Sequence, residues 1–284
     1  MGYVNMREML GRARDGGYAV GAFNIVDPMT AQGVVRAAEA KRAPVIIQTS
    51  AKTVELLGTG CLSAMVRELA EKAAVPVALH LDHCKNMDLI GACIRAGWSS
   101  VMVDASSLPF EENVRMTREV VALARPLDIT VEGELGAIVG VEDDIFVKEG
   151  EAHLADPAQS VEFVKRTGVD VFAPAIGTAH GIYKGVPVIA FDRLKEIAGS
   201  AGALVAIHGG TGLSDEVFRR VIGLGGVKVN ISTQIKHIYR DSFTGFIGKN
   251  PGVYEPVKIM AAVRGDTQAA VESFIDKFGS AGKA

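Results

Sequence analysis

VPVALHLDHCKNMDLIGACIRAGWSSVMVDAS, residues 75–106, carries the pattern that decides the fold. An apolar run at 75–83 gives way to an amphipathic stretch at 86–96, Gly97 stands where that helix should stop, and a second apolar run follows at 100–106. Both runs are continuously apolar rather than alternating, which is how a strand buried on both faces of a parallel sheet reads. The same kind of run recurs at 19–25, 44–50, 129–136, 170–177, 203–210 and 227–233, making eight in all. Amphipathic helical stretches separate them, at 28–42, 53–73, 110–125, 157–167, 190–200, 214–224 and 234–247. Asp27-Pro28 and Asp156-Pro157 each set an N-cap before a first-turn proline, Ser214-Asp215-Glu216 opens a helix with negative charge, and Gly168 and Gly225 end two others. Eight β-then-α units with no linker or shift in composition predict one (β/α)8 TIM barrel over residues 1–284. A further helix over 255–278, with Tyr254 and Phe274, is the expected oligomer contact. An open doubly wound sheet competes, but the first βα turn, FNIVDPMT, lacks the GxGxxG phosphate loop of its dinucleotide-binding form.

Composition narrows the partners. The 284 residues carry 30 Lys+Arg against 33 Asp+Glu, a formal charge of −3, and 48% are hydrophobic, so the chain is neither disordered nor strongly attracted to nucleic acid or anionic membranes. A small bound molecule is the expected partner. Cys61, Cys84 and Cys93 form no CxxC pair, and the N-terminal stretch MGYVNMREMLGRARDGG has neither an apolar core nor a cleavage site. No apolar run approaches the ~20 residues of a membrane span, and a reducing, cytoplasmic setting is expected.

In a barrel, chemistry collects at the C-terminal ends of the strands. Those ends hold Asn24, Gln48, Ser50, Asp82, His83, Asp104, Glu132, Glu134, His180, His208, Asn230, Ser232 and Thr233. Buried carboxylates and imidazoles are costly unless paired or metal-bound, so such a concentration on one rim points to a site. His83, His180 and His208 end strands three, six and seven, and three imidazoles with an open position describe a catalytic zinc centre. His80, inside strand three, reads as a core residue, and His153 and His237 as surface or partner contacts. The glycine-rich turns 177–181 and 208–212, with Asn230-Ile231-Ser232-Thr233 at a helix start, offer backbone donors for a phosphate, although each also reads as a plain tight turn. Segment 136–156, holding Glu142-Asp143-Asp144, is long for a barrel loop and is read as a lid or binding loop.

In order, GAFN (21–24), PVIIQTS (44–50), HLDH (80–83), MVDASSLPFEENV (102–114), VEGELG (131–136), GVEDD (140–144), AIGTAHGIYK (175–184), HGGTGL (208–213) and KVNIST (228–233) resemble the class II, metal-dependent ketose-bisphosphate aldolases, and more closely their tagatose-bisphosphate type. The resemblance covers nearly the whole chain. It implies reversible cleavage of a phosphorylated ketose to dihydroxyacetone phosphate and an aldehyde, with zinc on His83, His180 and His208 and Glu134 nearby. It further implies that Asp82 exchanges the proton of the hydroxyl at the new bond, that Glu142 takes a proton from the bound ketone phosphate, and that Asn230 holds the resulting enediolate. Asn24, Ser50, Gly181, Lys184, Gly209, Gly210, Thr211, Ser232 and Thr233 match substrate and phosphate positions, with a monovalent cation expected near the phosphate. Related enzymes form dimers or tetramers, so a homo-oligomer is expected.

One position departs from the pattern. Many relatives place an arginine in the C-terminal segment where this chain has Val257, within Tyr254-Glu255-Pro256-Val257-Lys258, leaving Lys258 or Arg264 as substitutes. The aldehyde half therefore carries a phosphate, a different anion such as a sulfonate, or none. A non-catalytic aldolase partner subunit and a zinc hydrolase are the competing functions. The first leaves the retained histidines and Asp82 without a task, the second the glycine-rich turns and Asn230.

Overall fold

The computed structural model describes residues 2–142, 145–147, 153–183 and 185–284, with 139–142 and 145–147 described as backbone only. Eight parallel strands close a barrel: β1 (Val20–Asn24), β2 (Val45–Ser50), β3 (Val77–Cys84), β4 (Ser100–Val103), β5 (Thr130–Leu135), β8 (Val171–Pro174), β10 (Leu204–Ile207) and β11 (Gly226–Ile231). Around it run β1-β11-β10-β8-β5-β4-β3-β2, so each strand lies beside its sequence neighbours among the eight and β11 closes on β1. The expected (β/α)8 architecture is the observed one.

The helices outside are α2 (Pro28–Lys41), α3 (Ala51–Leu57), α4 (Thr59–Lys72), α5 (Met87–Arg95), α6 (Phe110–Ala124), α7 (Pro157–Thr167), α8 (Phe191–Ser200), α9 (Asp215–Gly223) and α10 (Thr233–Lys249). Asp27 caps α2 reciprocally with Thr30, Asp156 accepts from the Gln159 amide at the start of α7, and Ser214 accepts from the Val217 amide at α9. The helix expected over 53–73 is two helices, because Gly58 at φ 85° turns the chain between α3 and α4. An N-terminal helix, α1 (Met6–Gly16), went unread, although its buried Met6, Met9, Leu10 and Ala13 follow helical spacing.

Inward-facing residues change character along the barrel. Val20, Ala22, Ile46, Ala78, Val171, Ala173, Leu204 and Ala206 pack with α1 into an apolar plug at the strand starts. Above it the inward positions become polar: His80 and Asp82 on β3, Glu132 and Glu134 on β5, Lys228 and Asn230 on β11, all buried. The outward face of β3, Val77, Leu79 and Leu81, joins the large core beneath the helices.

Segment 136–156 holds an antiparallel hairpin, β6 (Val139–Glu142) and β7 (Ile145–Val147), which joins β9 (Ala179–His180) in a small sheet. Helix α11 (Pro256–Lys277) packs on α2 and α10 through Val263, Thr267, Val271 and Ile275. Phe274, half-buried, stacks on Phe278 and meets Phe23 and Phe218 of its own chain at a tilt and edge-on, and Tyr254 is 92% exposed. No helix among the described residues is long and apolar enough to cross a membrane.

Candidate active site

Asp82 and His83 are neighbours on β3, and a regular strand would aim them at opposite faces. The register against β4 slips between Leu81 and Cys84, and His83 adopts φ 44°. This bulge, with its left-handed residue, turns both side chains into the cleft. Asp82 is 1% exposed and accepts hydrogen bonds from three amides: Asn24 Nδ2 at 3.0 Å and Gln48 Nε2 at 3.3 Å on Oδ2, and Asn230 Nδ2 at 3.1 Å on Oδ1. Gln48 also donates to Asn24 Oδ1 at 2.7 Å. Strands β1, β2 and β11 thus fix one carboxylate at the barrel mouth. Asn230 Oδ1 is buried with no protein partner among the described residues, which leaves an acceptor for a bound molecule.

His83, His180 and His208 come together, each offering a nitrogen within 4.8 Å of the others'. The His83 ring stands edge-on to both others, with centroids 4.9 Å from His180 and 4.6 Å from His208. His83 Nδ1 lies 3.0 Å from Asp104 Oδ2, and His208 Nε2 lies 2.7 Å from Glu132 Oε1. Each carboxylate accepts a hydrogen bond, so the network assigns the ring proton to the outer nitrogen of both histidines. Their inner nitrogens, His83 Nε2 and His208 Nδ1, then face each other at 2.8 Å, a distance at which a proton on one bridges to the other. Three such nitrogens within 4.8 Å of one another, with carboxylates orienting two of the rings, fit a divalent metal of the zinc type in place of that proton. Glu134 Oε2 is 3.4 Å from His208 Nδ1 and 3.9 Å from His83 Nδ1, beside both imidazoles.

Local fields follow from this packing. Burial opposes a charged His83, but Asp82, Asp104 and Glu134 outweigh it and raise its pKa well above the ordinary value. Burial raises Glu134 well above the usual carboxylate range, and Asp104 adds to that. Burial also disfavours ionised Glu132, yet Lys228 and His208 hold it well below that range. His80, expected in the core, is fully buried with Nδ1 2.7 Å from Ser100 Oγ; burial and then Lys228 push it well below the ordinary imidazole value.

The two glycine-rich turns are clamped together by Tyr183, whose hydroxyl donates to the Gly209 carbonyl at 2.7 Å and accepts from the Ala179 amide at 3.0 Å. Gly209 has φ 67°, and a Cβ there would lie 2.5 Å from the Ala179 carbonyl oxygen. A Cβ on Gly210 would lie 2.7 Å from the Asn230 carbonyl oxygen. The tight-turn reading of these glycines is therefore physically required, whatever they bind. Gly181 also has positive φ, at 90°. Thr211 Oγ1 accepts from the Gln234 amide at 3.3 Å, while the buried Ser232 Oγ, just before α10 begins at Thr233, has no partner among the described residues. Ser50 accepts from the Thr53 amide and caps α3.

Other residues stand apart. Lys184 lies outside the described residues, as does the side chain of Glu142. The backbone of Glu142 ends β6, which pairs with β9 through Gly140 opposite His180. Arg264 is engaged with Gln32 Oε1 at 3.2 Å, and Val257 is 67% exposed. His153 is exposed and bridges Ala137, and His237 is half-buried on α10. Sequence reasoning passed over Tyr183 and Lys228. A lysine inside the apolar strand run at 227–233 was the available signal for the second; Tyr183 gave none.

A family model described as fructose-bisphosphate aldolase class-II matches residues 4–283. A fructose-bisphosphate aldolase from Geobacillus stearothermophilus is 42% identical over 287 residues, covering 100% of this chain and 99% of its own. The crystal structure of the YdjI aldolase from Escherichia coli K12 superimposes with a TM-score of 0.88 at 33% identity, covering 99% of both chains. A fructose-bisphosphate aldolase structure from Campylobacter jejuni shares the fold, with a TM-score of 0.87 at 22% identity, covering 100% of this chain and 97% of its own.

Proposed function

The chain belongs to the class-II fructose-bisphosphate aldolase family and is therefore a carbon–carbon lyase, and we propose that it cleaves a phosphorylated ketose reversibly, with zinc, to dihydroxyacetone phosphate and an aldehyde. The observation that carries this reading is the cluster of three imidazoles with nitrogens within 4.8 Å of one another, two of the rings steered by carboxylates, beside a carboxylate held by three amides. His83, His180 and His208 hold the metal, with Glu134 adjacent. A zinc ion there supplies the Lewis acidity that stabilises negative charge developing beside the ketone carbonyl, by several kcal/mol.

The remaining steps belong to the chain. Asp82 exchanges the proton of the hydroxyl at the scissile bond, and its amide partners keep it from rotating away. Glu142, at the end of β6, exchanges the proton at the adjacent carbon. Asn230 holds the enediolate portion, its Oδ1 accepting from a substrate hydroxyl while Nδ2 holds Asp82, and Asn24 contributes beside it. Gly181, Lys184, Gly209, Gly210, Thr211, Ser232 and Thr233 bind the phosphate, with Ser50 at the neighbouring rim. Binding of the phosphate by oriented amides and hydroxyls needs no net positive charge, which accords with −3 overall. With valine at 257 and Arg264 engaged with Gln32, the aldehyde half is read as carrying a phosphate, a different anion such as a sulfonate, or none. A homodimer or homotetramer completes the proposal.

A panel of ketose 1-phosphates and 1,6-bisphosphates, with anionic non-phosphate variants, tests it by release of dihydroxyacetone phosphate. Activity is expected to need one zinc per chain and to vanish with chelator, with no imine trapped by borohydride. Turnover by protein rigorously freed of metal, with none rebinding, overturns the reading.

A further inference from the structure

Lys228 is the one lysine among the described residues that is fully buried, and it lies inside the barrel. Its Nζ sits 2.9 Å from Glu132 Oε2 and 3.2 Å from Glu132 Oε1, although β11 and β5 are separated by β10 and β8 around the wall. The side chains meet across the interior where neighbouring strands carry small residues: Ala206 is paired in register with Lys228, Ala22 with Asn230 and Ala173 with Glu134. Glu132 spends the rest of Oε1 on His208 Nε2, and Oε2 lies 3.6 Å from His80 Nε2. A charge chain thus runs Lys228–Glu132–His208 and ends at the nitrogen facing His83.

A buried ion pair is a poor way to stabilise a core, since apolar side chains of similar volume often do as well or better. What it does provide is a fixed orientation. Resting on the metal-centre reading above, we infer that Lys228 is a positioning residue for that centre: its ammonium anchors the Glu132 carboxylate, which in turn fixes the His208 ring with Nδ1 toward the metal. Apolar residues at 228 and 132 would fill the same space but leave the His208 Nε2–H without its acceptor and the ring free to turn.

The test compares wild type, Lys228→Met and the double variant Lys228→Met/Glu132→Leu. Three readouts are taken: the melting temperature of metal-free protein, zinc affinity by chelator competition, and the visible spectrum of the cobalt(II)-loaded protein. Lys228→Met, which strands a buried carboxylate, is expected to lower both melting temperature and affinity. The double variant has no stranded carboxylate but leaves the buried His208 Nε2–H without its acceptor, so it is expected to melt above Lys228→Met and below wild type, and to bind zinc about 10–100-fold more weakly than wild type, the usual consequence of removing a partner behind a ligand, with an altered cobalt spectrum. Wild-type affinity and spectrum in the folded double variant overturn the inference, and so does affinity lost only in step with melting temperature. If wild type itself binds no zinc, the metal-centre reading fails instead.

Discussion

Replacing Gly209 by Ala separates what the glycine-rich turn must do sterically from what it binds. At φ 67° an added side chain enters the left-handed region, at roughly 1–2 kcal/mol for a residue other than glycine. The new Cβ also lands 2.5 Å from the Ala179 carbonyl oxygen and 2.8 Å from its carbon, both rigid backbone atoms held by the Tyr183 clamp. Relieving such a clash by moving backbone takes about 1–3 kcal/mol. Together the destabilisation is about 2–5 kcal/mol, and at about 2 °C per kcal/mol for a chain of this size the melting temperature of metal-free protein falls by roughly 4–10 °C. The control is Gly248→Ala on α10, where no atom lies within 4 Å of the new Cβ and the backbone is helical. There the change is expected to stabilise by about 0.5–1 kcal/mol. Thermal or urea unfolding of chelator-treated protein reads both. Because the displaced turn carries Thr211 and adjoins His208, the KM for a ketose phosphate should rise as well. A Gly209→Ala protein as stable as wild type refutes the steric argument.

Three further outcomes follow from the geometry. Asp82→Ala should keep one zinc per chain and lower kcat about 10²–10⁴-fold, equivalent to roughly 3–5 kcal/mol; an unchanged kcat removes Asp82 from the proton transfer. Tyr183→Phe leaves the half-buried Ala179 amide without its acceptor and the Gly209 carbonyl without its donor, so urea unfolding should show a loss of about 0.5–1.5 kcal/mol for each bond, and no change would mean that the two turns hold each other without the clamp. In metal-free protein His83 is held above the ordinary imidazole value, so the native state carries the extra proton between about pH 6.5 and the raised value. Its contribution to stability is full below about pH 6.5 and is lost as pH rises through the raised pKa, while zinc affinity grows over the same window. The stability difference between wild type and His83→Gln, followed against pH with chelator present, measures this; a difference that grows with pH contradicts it.

Strand count, parallel order and the catalytic end of the barrel were legible because they depend on short-range pattern: apolar runs, caps and glycine stops recur locally, and residues at strand ends must share one rim. The convergence of His83, His180 and His208 followed from that rule alone. The hairpin in 136–156 was not legible, because its small sheet is completed by Ala179–His180, far along the chain. The ring contacts of Phe274 were not legible for a similar reason: an aromatic on an amphipathic helix looks the same whether it meets Phe23 and Phe218 or a neighbouring molecule.

By itself the sequence determined the barrel, its family and the three histidines, since periodicity and strand-end chemistry are local properties. Only the tertiary structure decided how those groups are aimed. The β3 bulge turns Asp82 and His83 the same way, three amides from separate strands pin Asp82, and Lys228 reaches across the interior to Glu132 behind His208. Orientation of this kind depends on contacts between residues 34 to 148 positions apart, which form only when the barrel has closed.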